Sequence, residues 1–332
     1  MKRSLPLVLL VLLTFFVISF LTNIIGPLVP EIIEDFDLSL TLVALLPFAF
    51  FIAYGVMSIP AGMLVQALGE KKVMILAFLV AYAGAQFFAL SPSYGVAVAS
   101  LFLIGSGMAM LQVVINPLLR AAGGEEHFAF NSVIGQLCFG AASFLSPWVY
   151  SYLVQNIGTP EASGVVALLG SLVPEELPWV SLYWIFAVVS LLMVAVIAAA
   201  RIPQVELQDD ERPGPLAVHL ELLRNPKVLL FFLGIFCYVG AEQGVANWMS
   251  EFLSTRHGYD PQTTGAATVA WFWGMMTAGT LLGLVLLKLF DSRYVLVTFT
   301  AGAMVSLALA LYGSGDVALL AFPAIGFLSA VM

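Results

Sequence analysis

Charged residues are scarce in this chain. They make up 10% of its 332 residues, whereas soluble domains carry about 25%. Hydrophobic residues reach 61%, against roughly 45–50% in soluble domains. The two cysteines both fall in apolar segments, and the three histidines are scattered, so neither a disulfide framework nor a metal site is indicated. These shortages exclude a soluble globular enzyme and a small disulfide-stapled protein.

Motifs for catalysis and for nucleic-acid binding are also missing. The sequence has no Gly-rich phosphate loop, no His/Glu metal spacing, no nucleophile–base pair and no basic patch. The net charge is −8, but many of the acids fall in short clusters that indicate solvated loops, among them Glu31, Glu34, Asp35 and Asp37. We therefore expect no enzymatic activity, no cofactor, no metal and no nucleic-acid partner.

Apolar runs long enough to cross a bilayer recur along the chain. About 20 consecutive apolar residues suffice for a membrane-spanning helix. The first run, from Leu5 to Gly26, is longer than a signal-peptide core and ends without a cleavage motif, so we interpret it as the first span. Charge clusters and Pro/Gly turns divide the chain into predicted spans near 4–28, 40–67, 73–91, 95–119, 128–155, 179–200, 227–254, 262–288 and 293–313, with a tenth starting near 316.

Lysine and arginine residues indicate how the spans are oriented. With the N-terminus in the cytoplasm, eleven of the twelve basic residues fall in cytoplasmic segments and only Arg256 lies outside. Cytoplasmic loops of membrane proteins carry such an excess. The bias predicts a multi-pass protein of the cell membrane (the inner membrane in a bacterium) with a cytoplasmic N-terminus.

The polar stretch 201–226 divides the chain into two sets of spans. We predict a six-helix bundle over 1–200, a cytoplasmic linker over 201–226, and a second, incomplete bundle over 227–332 that stops within span ten. A weak internal repeat supports this division, because Gly62 and Lys72 recur as Gly283 and Arg293 at the same offset. Parallel repeats of this kind are found in transporter folds.

The loop after the second span resembles a signature of the major facilitator superfamily. Gln66 stands where that family usually has an aspartate, so a charge-relay role does not carry over to this loop. The resemblance implies an all-α integral membrane fold of two six-helix bundles and makes Gly62 and Gly69 structural residues. The residues that match the signature are Gly62, Leu64, Gly69, Lys71 and Lys72.

Two motifs inside the spans resemble, more narrowly, the fucose/glucose–galactose permease family of sugar–proton symporters. "LQVVINP" (111–117) matches its span-four motif, and "FCYVGAEQ" (236–243) matches its span-seven motif. This resemblance implies that the chain transports a monosaccharide such as fucose, glucose or galactose by alternating access, coupled to protons. The fucose permease has acids where this chain has Gly26 and Gln112, so those two carboxylates are absent here.

Gln112 and Asn116 lie one turn apart on span four, and Pro117 follows them. An amide both donates and accepts hydrogen bonds and so suits sugar hydroxyls, although side-chain amides also hold packed spans together. With the family motif, we assign Gln112 to the sugar. Asn116 and Pro117 are assigned to structure, because proline frees a carbonyl that a nearby amide can satisfy.

Glu242 is the only carboxylate deep inside a predicted span. Ionisable groups at mid-membrane are costly and usually functional, and burial favours the neutral, proton-carrying form of a carboxyl. We assign Glu242 to proton coupling. The alternatives are a structural neutral acid, sodium coupling, or facilitated diffusion without any coupling ion.

Further polar residues of the spans are candidate sugar contacts. Helix packing is the alternative for Asn131, Gln136, Asn23 and Tyr54, and a membrane-interface anchor is the alternative for Trp248. Gln243 and Asn247 share one face of span seven because they are four residues apart. Trp271 and Trp273, at the start of span eight, are interpreted as membrane-interface anchors. The complete set of candidate sugar-binding residues is Gln112, Gln243, Asn247, Trp248, Asn23, Asn131, Gln136 and Tyr54.

The predicted function is a monomeric symporter for a monosaccharide in the lipid bilayer, with a proton, or alternatively sodium, as the coupling ion. Competing interpretations are a carrier of another small neutral solute or drug, a membrane receptor or structural subunit that does not transport, and a membrane-embedded enzyme. No lysine or arginine lies inside a span, which argues against an anionic solute.

Overall fold

A computed structural model describes residues 4–202 and 224–331, and these residues form helices and turns without strands. Among them, nine helical segments are long and apolar enough to cross a membrane, which confirms the all-α membrane fold. The helices are α1 (Leu5–Thr22), α2 (Ile25–Asp35), α3 (Leu40–Leu68), α4 (Glu70–Leu90), α5 (Tyr94–Gly123), α6 (Phe128–Asn156), α7 (Gly164–Gly170), α8 (Ser181–Ala199), α9 (Pro226–His257), α10 (Ala266–Leu289), α11 (Ser292–Tyr312) and α12 (Gly315–Ser329).

Local chemistry sets several helix boundaries. The Ser39 hydroxyl caps α3 by accepting a hydrogen bond from the backbone N–H of Leu42 at 3.3 Å. The Asp291 carboxylate caps α11 through the N–H of Arg293 at 2.8 Å. Gly69 separates α3 from α4 with a φ of 80°, a conformation that favours glycine. The repeated sequence motif thus falls at a helix junction in each half of the chain.

The first span is broken in two. Its apolar composition is continuous, but α1 ends at Thr22 and α2 begins at Ile25. Asn23 lies in the break and is buried. Non-helical backbone at membrane depth is tolerated where protein buries it. The span then continues to Asp35, beyond the predicted end at residue 28, whereas the other predicted spans match the helices more closely.

The acidic cluster after the first span is not wholly a solvated loop. Glu31, Glu34 and Asp35 lie on α2, so the prediction was wrong for these three residues. The Tyr150 hydroxyl donates a hydrogen bond to Glu31 at 2.9 Å, and the indole N–H of Trp179 donates one to Asp35 at 2.5 Å. The acids interrupt the apolar pattern while the helix itself continues.

The described helices build two hydrophobic cores. The larger lies among α1–α6 and α8, where α4 packs on α5 and α8, and α1 packs on α5 and α6. The smaller involves α9, α10, α11 and α12 and includes Phe272 and Phe322. The Lys71 ammonium donates to the carbonyls of Ala198 and Ala200 at 2.8 Å, so α4 begins where α8 ends. The domain limits stay a prediction, because most of the linker 201–226 falls on residues 203–223, outside the described residues.

The two helix sets meet along two pairs of helices, α2 with α9 and α6 with α10. Gly26 of α2 lies directly against the backbone of Ala246 on α9. Gly140 of α6 lies directly against the side chain of Thr277 on α10. Glycine permits such close approach because it has no side chain. The Gly26 contact lies in the part of the interface towards Glu31, and the Gly140 contact lies about halfway along its two helices.

Candidate functional site

A cavity of about 320 Å³ lies between α6, α9, α10 and α12. This volume is at the lower end of the roughly 300–1,000 Å³ of small-molecule sites. The lining combines one carboxylate with amide, hydroxyl and aromatic side chains from both helix sets. The lining residues are Gln136, Phe139, Gly140, Ser143, Tyr238, Glu242, Trp273, Met276, Thr277, Thr280 and Ala330.

Glu242 lies halfway along α9 and is the carboxylate of this cavity. It accepts a hydrogen bond from the Gln243 amide at 3.1 Å, and the Tyr238 phenol, one helical turn earlier, lies beside it. The described lining residues include no lysine, arginine or histidine, so they offer Glu242 no counter-ion. A carboxylate in such a place is costly unless a cation pairs with it or a proton neutralises it.

A hydrogen-bond network joins the cavity wall to the break in the first span. The Asn23 amide donates to the Ser143 hydroxyl at 2.8 Å and, more weakly, to the Ser19 hydroxyl at 3.4 Å. The Ser19 hydroxyl lies 2.6 Å from both the Ser143 hydroxyl and the carbonyl oxygen of Phe139. Asn23 therefore reaches the cavity through Ser143 and does not line it.

The structure brings three of the predicted site residues together. Glu242 and Gln136 line the same cavity from opposite helix sets, and Gln243 contacts the Glu242 carboxylate. Gln112 is half-buried on α5 and lies outside the cavity lining.

The residues predicted to be structural lie within or between helices. Pro117 lies inside α5 and Gly62 inside α3. Asn116 is exposed. Gly69 adopts the positive φ described above. The expected contact between Asn116 and a carbonyl freed by proline stays a prediction.

Two candidates on α9 lie beyond the cavity. Asn247 is buried beside Gly26, where α2 crosses α9. Trp248 is half-buried against the larger core, so it packs on the opposite helix set. Both residues lie on the interface between the two helix sets, one helical turn or more past Glu242.

Two candidates in the first helix set also lie beyond the cavity. The Tyr54 phenol lies beside Thr22, next to the break in the first span. Asn131 is buried against Gly123 near the start of α6, and its amide nitrogen has no partner among the described residues.

The cavity also contains polar residues that sequence reasoning did not select. Tyr238 precedes Glu242 by four residues, and this spacing alone could have identified it. Ser143, Thr277 and Thr280 are hydroxyl residues in apolar runs, which carry no signal of which face they occupy. Trp273 lines the cavity, contrary to its interpretation as an interface anchor.

Comparison with known families decides the class of protein. Residues 11–332 match the profile of the Major Facilitator Superfamily. The chain belongs to this superfamily. Membership of this transporter superfamily agrees with the prediction that the chain is not an enzyme.

Curated relatives narrow the similarity within the superfamily. The chain is 28% identical over 329 residues to a glucose/galactose transporter of Brucella abortus, a match that covers 96% of this chain and 76% of that protein. It is 26% identical over 329 residues to the L-fucose-proton symporter of Escherichia coli K12, covering 92% and 73% of the two chains. The resemblance predicted from the two span motifs is thereby confirmed.

Solved structures share the fold. FucP in the outward conformation superposes with a TM-score of 0.69 at 21% identity, covering 99% of this chain and 82% of FucP. A bacterial homologue of the human lysosomal transporter Spinster, in an inward-facing and unoccupied conformation, gives a TM-score of 0.75 at 17% identity, covering 98% and 72%. The predicted major facilitator architecture is confirmed by both likenesses.

Proposed function

We propose that this protein carries a monosaccharide such as glucose, galactose or fucose across the cell membrane together with a proton. The observation that carries the proposal is the cavity, where one carboxylate lies among neutral polar and aromatic side chains. Amides and hydroxyls both donate and accept hydrogen bonds, as the hydroxyls of a sugar do. The names of the two curated relatives support the same substrate class and coupling ion.

Glu242 is the proposed proton carrier. Its described partners are neutral, and no basic side chain of the cavity lining balances its charge. A proton removes that charge, and the cavity can then close around the neutral carboxyl and a bound sugar at a lower free-energy cost. Sodium would need several oxygen ligands, and sodium coupling and uncoupled diffusion are separate outcomes of the experiment below.

The places where the helix sets touch support one state of an alternating-access cycle. Their contacts reach the end that carries Glu31, and the lysine and arginine bias assigns this end to the outside of the cell. The structure then corresponds to a state closed towards the outside. A monomer as the working unit is part of this proposal.

Uptake by the full-length protein in proteoliposomes tests the proposal. Labelled glucose, galactose and fucose are offered under an inward proton gradient, under a sodium gradient and without either. We expect at least one hexose to accumulate only under the proton gradient and unlabelled hexoses to compete with it. If sodium alone drives accumulation, the coupling ion is sodium and not the proton. If only solutes that are not sugars compete for uptake, the substrate is not a monosaccharide.

A further inference from the structure

Glu31 is half-buried between the two helix sets, at the end where they meet. The fully buried Tyr150 of the first set donates its hydroxyl to this carboxylate at 2.9 Å. Gln262, at the start of the eighth span, lies beside the carboxylate from the second set. Earlier on the same helix, Gly26 lies directly against the backbone of Ala246. Closure of this end therefore encloses Glu31.

The charged groups that act on Glu31 are themselves acids. Glu34 and Asp35 follow it on α2 and lie close enough for their charges to matter. Asp260 of the second set lies near Tyr150, the hydrogen-bond donor to Glu31. Like charges at short range oppose the ionisation of a carboxyl group. Closure thus brings Glu31 into a region of negative charge.

The described residues offer Glu31 no basic partner. On α9, which packs against α2, Glu251 accepts a hydrogen bond from Thr255 of the same helix. Arg256 is exposed, and the His257 ring packs against neighbouring aromatic rings. The described interactions of Glu31 include none of these side chains.

Both protonation states of Glu31 can use its two neutral partners. Tyr150 can donate to either form, and the Gln262 amide can donate to the charged form or accept from the protonated one. The two states therefore differ mainly in charge. An enclosed carboxylate is costly unless a cation pairs with it or a proton neutralises it. When the helix sets separate, Gln262 moves away and water reaches the carboxylate, which lowers that cost.

We propose that Glu31 is a second proton-binding site, which takes up a proton from outside when the outer end closes and releases it to the outside when that end opens. The inference rests on the proposed alternating-access cycle but does not depend on which solute is carried. Because the proton returns to the side from which it came, Glu31 controls how readily the outer end closes and carries no proton across the membrane. Glu242 differs, because its proposed proton crosses with the solute.

Distances between spin labels across the outer end test this inference in the full-length protein, in liposomes without solute. The labels are attached to cysteines at Ser91 and Ser314, exposed positions between α4 and α5 and between α11 and α12, in a background without other cysteines. Glu242→Gln is also present, so that protonation of Glu242 does not contribute. We expect the closed, short-distance population to grow as the pH falls from about 8 to about 5, with the closed-to-open ratio rising by up to about tenfold per pH unit.

Three variants assign this response to Glu31. Glu31→Gln is neutral at every pH and should keep the closed fraction at its acid value throughout. Glu34→Gln removes an exposed acid of the same helix and should keep the pH dependence. Tyr150→Phe should lower the closed fraction more at alkaline than at acid pH, because a hydrogen bond to a charged acceptor is the stronger one. This last variant tests the inference even if Glu31→Gln fails to fold.

Three results would overturn the inference. The first is a closed fraction that does not depend on pH in the parent, and the second is an unchanged pH dependence in Glu31→Gln. The third is closure by sodium at constant pH, which would make Glu31 a metal-cation site. Failure of the proposed function is a separate result, because it is measured by solute uptake, and a protein that carries no hexose can still close its outer end on acidification.

Discussion

Glu242 occupies the cavity because helix periodicity places it on the same face as Tyr238, four residues earlier. Tyr238 and Gln243 both belong to its own helix, so its hydrogen bonds do not depend on the opposite helix set. The carboxylate therefore has its nearest polar partners on its own helix, while the facing helices α6 and α10 supply neutral groups. This arrangement suits a residue that exchanges a proton as the solute enters and leaves.

Single residues differ in how far the sequence reveals them. Glu242 was predictable because a carboxylate inside a long apolar run is energetically costly and is therefore usually functional. Gln112 and Gln136 look alike in sequence, yet only Gln136 lines the cavity. Trp273 was misjudged because span eight begins at Pro261, which places this tryptophan about 18 Å along the helix at about 1.5 Å per residue. Polarity identifies candidates, but the face that each one occupies depends on the packing of other helices.

Gln136 is expected to contribute to sugar affinity. We predict that Gln136→Ala weakens binding of the transported hexose about twofold to tenfold, because one neutral hydrogen bond contributes roughly 0.5–1.5 kcal/mol. Gln112→Ala is the matched comparison, since Gln112 lies outside the lining of this cavity. Both variants are measured by competition binding. Unchanged affinity in Gln136→Ala would remove Gln136 from the sugar site, whereas a loss in Gln112→Ala would support its sequence-based assignment in another conformation.

At the scale of helices, glycines set the distance between the two helix sets. Any side chain at Gly26 would collide with the carbonyl of Ala246, and one at Gly274 would meet the Phe144 ring. Gly26 is also the position where the resemblance to the fucose permease leads one to expect an acid. The close crossing of α2 and α9 gives a physical reason for the smallest residue there.

A bulky residue at Gly26 is expected to prevent the helix sets from closing at the Glu31 end. We predict that Gly26→Leu raises the rate at which a membrane-impermeant thiol reagent modifies a cysteine at Gln262, added from outside. The measurement uses a background without Cys138 and Cys237. Residue 262 is a suitable reporter because its side chain contacts Glu31 across the interface.

Gly55→Leu is the control for this experiment. Gly55 lies inside α3, and a side chain built there meets nothing within 4 Å. This variant should leave the labelling rate unchanged. Equal labelling rates in Gly26→Leu and in the parent would show that the Gly26 crossing does not control closure.

The break in the first span is a feature of a whole helix that hydropathy does not predict. Apolar residues continue through the break, so composition predicts one helix where the structure has two. Asn23 was a signal, but an asparagine inside a span is equally compatible with ordinary packing. Asn23 at the break donates hydrogen bonds to Ser19 and Ser143, and the latter lies more than a hundred residues away on α6.

At the scale of the molecule, the two helix sets are connected by polar contacts at the Glu31 end. Glu31 of α2 accepts a hydrogen bond from Tyr150 of α6 and lies beside Gln262, which belongs to the other helix set. The fold, the count of spans and the family resemblance all followed from apolar periodicity and from two short motifs. Which end is closed could not be predicted, because the choice depends on contacts across the interface between helices that are distant in sequence.

The most direct test of the account compares accumulation with exchange in Glu242→Gln. With Glu251→Gln on the same helix as the control, labelled hexose uptake is measured under a proton gradient and as counterflow without one. We predict that Glu242→Gln loses accumulation but keeps counterflow, because solute binding survives while the proton carrier is gone, and that Glu251→Gln keeps both. Accumulation by Glu242→Gln at the wild-type level would contradict the account and assign proton coupling to another residue.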